Sequence, residues 1–420
     1  MMPDHYLRKG SAVNRARRSV PRGIREPVFA FVTALVFISS CSRGFAQPAP
    51  PGWAVDKVRV GVLGLFHPRQ LTVTAPEGQA LVVHAGEEHI VLEHSSGVHT
   101  ANVRLSGTEI VLQSGARTVR AFALTVAGRE NEAADFVLAV PGKIARHYRG
   151  TLEIRGEVGH LVAVVAMDRE TAVASIVAAE NTADTPLEAL KAQAVATRSY
   201  LASSRGRHRD FDFCDTTHCQ FLRDPPAPAT AVAQAAEATR DMVLAYEAKP
   251  FAAMYTRSCA GRTHTPAELG LPAAHYPYYS VECTYCRAYP VRWSSRISAE
   301  DAAMLRSSNE PARLRTARHL GWSTIPSNDF IVKRENDQIL AEGTGQGHGI
   351  GLCQSGAKAM AADGADFRQI LSHYYPNTTV VSIETVADSF SHQHETVGPA
   401  DRALVRRQTV KPLLTSVAPK

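Results

Sequence analysis

ENTADTPLEALKAQAVATRSYLASSRGRHRDFDFCDTTHCQ, residues 180–220, decides how the chain folds. One run holds a carboxylate, a well-signalled helix and a knot of His, Cys, Asp and Thr. The helix follows from local rules. Thr185 suits the N-cap, Pro186 suits the first helical position, and Glu188 stands three residues after the cap, which is the pattern of a capping box. Leu187, Leu190, Ala194, Thr197 and Leu201 recur at spacings of three and four and draw one buried stripe, rich in Ala, on which a neighbour can pack closely. Gly206 ends the pattern. Upstream, the apolar run Ala172–Ala179 predicts a second helix with Glu180 at its end. Carbonyl dipoles and partial burial both disfavour the charged form of a carboxylate there, which raises its pKa toward the range a general acid needs. A surface Glu in a loop is the plain alternative, since most exposed acids do no chemistry.

Working outward toward the N-terminus, residues 58–144 read as short strands. KVRVGVL, LTVTA, ALVVHA, HIVLEH, ANVRLSG, EIVLQSG and FALTV alternate apolar with polar and are separated by turn residues. HYRGTLEIRG and HLVAVVAM then form a hairpin that leads into the two helices. Toward the C-terminus, residues 229–240 predict an Ala-rich helix, and MVLAYEAKPF predicts a hairpin turning at Glu-Ala-Lys-Pro. Residues 298–320 read as a charged helical insert, 328–340 as a return to strand, and 354–363 as a helix after a Gly-rich loop. The expected fold class is α+β: an antiparallel β-rich N-terminal region, 58–144, followed by a mixed α+β domain, 145–385, with a substrate groove. The polar, aperiodic segment 386–420 carries no core and reads as a disordered tail.

The chain of 420 residues has length for two or three domains. Its formal charge of +6 sits in the N-terminus: residues 1–46 hold eight Lys and Arg against Asp4 and Glu26, which accounts for the whole excess. The remainder is near neutral, so no nucleic-acid footprint is left. Residues 1–46 read as a targeting segment, with a basic region ending at Arg25 and an apolar run, Val28–Ile38, too short to span a bilayer. Cleavage after Ala46 would release a soluble chain. The lipobox-like Ile38-Ser39-Ser40-Cys41, placed directly after the apolar run, would leave Cys41 lipidated, the one membrane attachment expected. A Pro-rich linker, 47–57, follows. Either route exports the protein to the periplasm or cell envelope, an oxidising compartment.

Six cysteines remain after Cys41: Cys214, Cys219, Cys259, Cys283, Cys286 and Cys353. His208, Cys214, His218 and Cys219 lie within a dozen residues and suit zinc, which takes tetrahedral N and S ligands; a Cys214 disulfide beside a surface His is the alternative. Cys283-Thr284-Tyr285-Cys286 is a single CxxC, as suited to disulfides, with Cys259 for example, as to a metal, and sequence does not choose among the pairings. In Gly345–Ala357 alternating Gly leaves backbone open to a ligand, or makes a tight turn; it fails as a dinucleotide fingerprint because no parallel-sheet unit surrounds it. A Cys–His nucleophile pair drawn from Cys353 or Cys219 with His348 or His218 is disfavoured, because sequence neighbours rarely face each other and an oxidising compartment consumes free thiols.

Taken together these segments resemble the stage II sporulation protein D family, the SpoIID/LytB-domain proteins. The family's pattern of a catalytic Glu followed by E-A-L-K-A-Q-A-V-x-x-R-[ST]-Y is met by Glu180 and Glu188–Tyr200. F-D-x-C-D-T-T-H-C-Q is met by Phe211–Gln220, and Y-x-S-x-G-G-x-T by Tyr255–Thr263, with Ala260 replacing a usual Gly. G-H-G-x-G-x-x-Q-x-G-A is met by Gly347–Ala357, and H-Y-Y-P by His373–Pro376. The resemblance covers roughly residues 145–385. It implies a lytic transglycosylase that cleaves the MurNAc–GlcNAc β-1,4 bond of peptide-stripped peptidoglycan and leaves 1,6-anhydro-MurNAc ends, with Glu180 as the single acid/base. It implies groove contacts from Arg198, Gln220, Ser258, Thr263, His348 and Gln354, and a structural zinc on His208, Cys214 and Cys219, with His218 a substitute. The implied partners are glycan strands and an amidase that strips peptides first. The family also contains an amidase enhancer, so an amidase-activating or glycan-binding envelope protein without catalysis is the other reading.

Overall fold

Alternating apolar and polar residues become strands that bury one face and wet the other. In a computed structural model that describes residues 56–270 and 279–386, nine strands come first: β1 (Lys57–Val62), β2 (Gln70–Thr74), β3 (Ala80–Ala85), β4 (Glu88–Glu93), β5 (Thr100–Ser106), β6 (Glu109–Ser114), β7 (Arg117–Ala121), β8 (Ala123–Ala127) and β9 (Ala134–Val140). On β5, Ala101, Val103 and Leu105 are buried while Asn102 and Arg104 are exposed. β10 (Ile144–Glu157) and β11 (His160–Asp168) form the expected hairpin. The first half of β10, Ile144–Gly150, pairs with β9. Its second half pairs with β11 on one side and β8 on the other. This change of partner carries the chain from one layer of strands to the other and bends a largely antiparallel twelve-stranded sheet into a near-barrel. Gly150 lies at the change, where a Cβ would stand 2.4 Å from the carbonyl oxygen of Ala166. β9 of the first expected segment and β10 of the second thus pair in one sheet.

β11 runs directly into α1 (Arg169–Glu180), whose N-cap Asp168 accepts from the amides of Glu170 and Thr171. α2 (Leu187–Ser203) follows and differs from expectation in two ways. Its N-cap is Pro186, with no side-chain cap bond, so the Thr185 capping box does not form. The Glu188 carboxylate instead accepts from the Phe367 amide at 2.9 Å and pairs with Lys191 at 2.6 Å. A tertiary contact has replaced the local one. Nor does α2 bury a single stripe: Leu187 is 39% exposed, and the helix is buried on nearly all sides from Ala192 to Ala202. Leu190, Ala194, Tyr200 and Leu201 pack into the core of the large sheet, whereas Ala189, Ala192, Val195 and Ala196 pack into a second core. A helix squeezed from both sides needs small residues, which accounts for its Ala content.

β12 (Phe213–Cys214) adds a parallel edge to β1. Then come α3 (Ala231–Ala238), the hairpin β13 (Met242–Tyr246) and β14 (Lys249–Pro250), β15 (Tyr255–Thr256), and the short α4 (Thr284–Ala288). β16 (Arg292–Arg296), α5 (Ala299–Leu305), α6 (Glu310–Leu320), β17 (Phe330–Glu335) and β18 (Gln338–Thr344) build the insert around its own small core of Ile297, Ala302, Leu305, Ala317, Ile325, Phe330 and Ala341. β19 (Leu352–Cys353), α7 (Gln354–Ala362), α8 (Phe367–Tyr374) and β20 (Thr379–Ser382) return the chain to the second core, β19 pairing with β15 and β20 with β13. The result is an α+β fold. Among the described residues no helix is long and apolar enough to cross a membrane. The targeting segment 1–46 with Cys41, nearly all of the linker 47–57, and the tail beyond Val386 lie outside the described residues.

Candidate active site and cysteine clusters

Glu180 is the last residue of α1, as the apolar run predicts, and the chain then turns extended at Asn181. Three side chains fasten this turn. Gln354, the first residue of α7, donates from Nε2 to the Glu180 carbonyl at 3.2 Å and to Gln193 Oε1 at 3.1 Å. Arg257 Nη1 donates to the same carbonyl at 3.2 Å. Asn181 Nδ2 donates to Gln193 Oε1 and to the Val177 carbonyl, both at 2.9 Å. The Glu180 side chain is half-buried. Burial pushes its pKa up to about 7 from an ordinary 4.5, against the opposing positive charges of Arg257 and Arg223. Near neutrality the carboxyl is therefore balanced between its two protonation states. Below it, the Tyr255 phenol donates to Gln220 Oε1, and that phenol's pKa is driven well up, first by burial and then by the charge of Glu180.

The expected groove residues separate into three groups. Gln354 and, through Tyr255, Gln220 gather at Glu180. Ser258 and His348 meet elsewhere, around a cavity of ≈ 10 Å³ that they line with Cys259, His264 and Asn328 among others. His348 Nδ1 accepts from the Ile350 amide at 3.1 Å, and burial pushes its pKa down to about 4, so the ring is neutral. Thr263 and Arg198 are enclosed, and in this structure neither reaches a surface that a glycan could touch. Thr263 is 0% exposed and clasps the neighbouring segment, donating to the Tyr279 carbonyl at 3.1 Å and accepting from the Val281 amide at 3.0 Å. Arg198 is also 0% exposed. It forms a two-pronged pair with Glu170 at 2.7 and 2.5 Å and donates to the Met242 and Ala236 carbonyls, which ties α1, α2, α3 and β13 together. A larger hollow of ≈ 300 Å³, lined by Asp168, Arg169, Glu170 and Asp241 among others, lies at the opposite end of α1 from Glu180.

The glycines of the 345–351 loop answer to the chain itself. A Cβ on Gly347 would stand 2.5 Å from Thr256 Oγ1, and one on Gly351 would stand 2.0 Å from the Met254 carbonyl oxygen. Arg257, Tyr255, Gln193 and Arg223 were not foreseen as neighbours of Glu180. Gln193 carried a signal, being a polar residue inside an Ala-rich helix; Arg257 and Arg223 are brought in from other segments and carried none.

Two clusters of metal-ligating side chains are present, each with its donor atoms within 4.8 Å of one another: His208, Cys214, His218 and Cys219; and Cys259, Cys283, Cys286 and Cys353. In the first, His208 Nε2 stands 3.2 Å and His218 Nδ1 3.4 Å from Cys219 Sγ, and His218 Nδ1 stands 3.7 Å from Cys214 Sγ. Bonds of about 2.0–2.3 Å set the donors of a tetrahedral zinc site about 3.3–3.8 Å apart, so this donor set fits zinc in both chemistry and spacing. His218 stands as a fourth donor rather than a substitute. The Cys219 thiol hydrogen-bonds Cys214 and pulls its pKa well down, which readies one thiolate.

The α+β fold thus carries a half-buried acid, Glu180, at the end of α1 and a Cys/His cluster at the edge strand β12. Residues 157–246, from the end of β10 to β13, match the stage II sporulation protein family SpoIID. The chain is similar to stage II sporulation protein D of Bacillus amyloliquefaciens, 25% identical over 262 residues that cover 53% of this chain and 75% of the relative. An uncharacterized protein of Brachyspira hyodysenteriae is 28% identical over 263 residues, 55% of this chain and 71% of its own. The amidase enhancer of Bacillus subtilis is 41% identical over 63 residues, but these cover 15% of this chain and 9% of the enhancer.

Proposed function

We propose that the chain is a cell-envelope lytic transglycosylase acting on peptide-stripped peptidoglycan, with Glu180 as its single acid/base. The observation that carries this reading is the state of Glu180: half-buried at a carbonyl end, with a pKa near 7 and two arginines as the charges it feels most. Hydrolytic glycosidases ordinarily use two carboxylates. One suffices when the sugar supplies its own nucleophile. Protonated Glu180 gives its proton to the glycosidic oxygen as the C1–O bond breaks. The resulting carboxylate then takes the proton of the MurNAc C6 hydroxyl as that oxygen bonds C1, closing the 1,6-anhydro ring and restoring the acid. A pKa near 7 serves both half-steps, because the group must give and regain a proton in one turnover. Arg257 and Arg223 steady the transient carboxylate. As exposed cations beside the acid, they also suit the lactyl carboxylate that MurNAc bares once its peptide is removed.

His208, Cys214, His218 and Cys219 would hold zinc in a closed shell, whose contribution is to fix the 207–220 loop rather than to donate protons. Gln220 sits at the end of that loop and accepts from Tyr255, which links the loop's position to the surroundings of Glu180. The targeting segment read from residues 1–46 would export the chain to the periplasm or cell envelope. A peptide-stripping amidase is the partner that would supply the substrate.

The test is to incubate the purified protein with peptidoglycan before and after amidase treatment and to analyse the ends by mass spectrometry. The reading expects 1,6-anhydro-MurNAc ends from stripped glycan, and none from Glu180→Gln. Folded, metal-loaded protein that makes no new ends but stimulates an amidase would put the enhancer reading in its place.

A further inference from the structure

We infer that Cys259, Cys283, Cys286 and Cys353 form a second metal site, a closed tetrathiolate shell for one zinc-class divalent ion that staples an irregular part of the fold. This inference is independent of the transglycosylase reading.

The four residues come from three segments. Cys259 lies in the turn after β15, Cys283 and Cys286 bracket the start of α4, and Cys353 is the N-cap of α7. All four are nearly inaccessible, at 2, 2, 1 and 0% exposed. Their sulfurs all lie within 4.8 Å of one another, and Cys286 Sγ is 3.5 Å from Cys353 Sγ. Zinc–sulfur bonds of about 2.3 Å place the sulfurs of a tetrahedral shell about 3.8 Å apart. An iron–sulfur cubane, holding one iron per thiolate, needs a wider cage. A pair of disulfides would instead draw the set into two couples with sulfurs about 2.05 Å apart. Here the sulfurs are free.

The surroundings are those of metal-bound thiolates. The Gly356 amide points to Cys353 Sγ at 3.5 Å, the Ser258 hydroxyl lies 3.4 Å from Cys286 Sγ, and the Tyr374 hydroxyl lies 3.6 Å from Cys283 Sγ. Donors of this kind orient sulfur ligands and temper their charge. Gly356 makes the approach possible: a Cβ there would stand 2.6 Å from Cys283 Sγ and 2.0 Å from the Tyr374 oxygen.

The placement also says what the ion would do. Between β13 and β16 the described chain holds only two two-residue strands, a single 3-10 turn and the five-residue α4. So little regular hydrogen bonding leaves this segment weakly fixed, and a metal centre supplies what the backbone does not. The site is adjacent in sequence to Ser258 and to Gln354, whose amide holds Glu180, so it would brace α7 against the 257–261 turn.

Metal content of the purified protein, measured by mass spectrometry of the dissolved metal, tests the inference. Two equivalents of zinc are expected, one being lost in Cys283→Ser/Cys286→Ser and the other in Cys214→Ser. Cobalt(II) exchanged into the unmutated protein reads the same question without relying on the variants' folding: a four-sulfur shell gives stronger sulfur-to-cobalt charge-transfer absorption than two sulfurs and two imidazoles, and both sets of bands are expected. The inference is overturned if unmutated protein holds one equivalent that Cys283→Ser/Cys286→Ser retains. It is equally overturned if denatured, unreduced protein shows these four cysteines closed in disulfides.

Discussion

Replacing Glu180 with Gln keeps the side chain's shape and removes its ability to ionise. The folded carboxyl has a pKa of about 7 against an ordinary 4.5, and burial is the largest cause. The folded state therefore binds this proton more tightly than the unfolded state does. The stability this contributes is fully present below pH 4.5 and is lost as pH rises to about 7, where the buried group must ionise. At about 1.36 kcal/mol per pH unit the ceiling is about 3 kcal/mol. Solvent at this partly open site screens the charge and brings the expectation to roughly 1–3 kcal/mol. Gln carries none of this dependence. Urea denaturation of both proteins between pH 4.5 and 8.5 isolates the group, since every other titration cancels in the difference. Glu180→Gln should gain roughly 1–3 kcal/mol over the wild type across that range, with the midpoint of the gain at about pH 6 and a plateau above about pH 7. A flat difference curve, or one already complete by pH 5, would show an ordinary carboxylate and remove the basis for treating Glu180 as the acid.

Removing the strongest opposing charge should move that curve: Arg257→Ala frees Glu180 of its largest lowering influence, so the midpoint measured with Glu180→Gln/Arg257→Ala as reference should shift to higher pH. Glu170→Ala leaves Arg198 charged and unpaired in the core, and urea unfolding should show a loss of roughly 3–5 kcal/mol. Ala260 holds φ +60, a left-handed conformation that costs an L-residue about 1–2 kcal/mol and Gly almost nothing. After the flexibility Gly adds to the unfolded chain, Ala260→Gly should stabilise by roughly 0.5–1 kcal/mol, read as a higher urea midpoint.

What the sequence made legible was local. The β-rich region announces itself through alternation, and Ala172–Ala179 places Glu180 at a helix end because a single helix is enough to define that position. The His208–Cys219 cluster could be read because its ligands lie within a dozen residues. The misreadings share a cause in long-range packing. Glu188 left the capping box for the amide of Phe367, 179 residues away. Arg198, which the family resemblance implied as a groove contact, is paired with Glu170 on a neighbouring helix. Arg257 reaches the Glu180 carbonyl across 77 residues. The four buried cysteines gave only one CxxC, because Cys259 and Cys353 join it through the parallel pairing of β15 with β19, two strands of two residues each. Pairings that short leave no periodicity to read.

The central claim is that one carboxylate serves both half-steps and that the sugar, not water, attacks. Cleavage of amidase-stripped glycan in heavy-oxygen water tests this most directly, with the new ends weighed by mass spectrometry. The account predicts MurNAc ends lighter by one water than a reducing end and free of heavy oxygen. Reducing ends that carry one heavy oxygen would mean that water is the nucleophile and that Glu180 does not act alone.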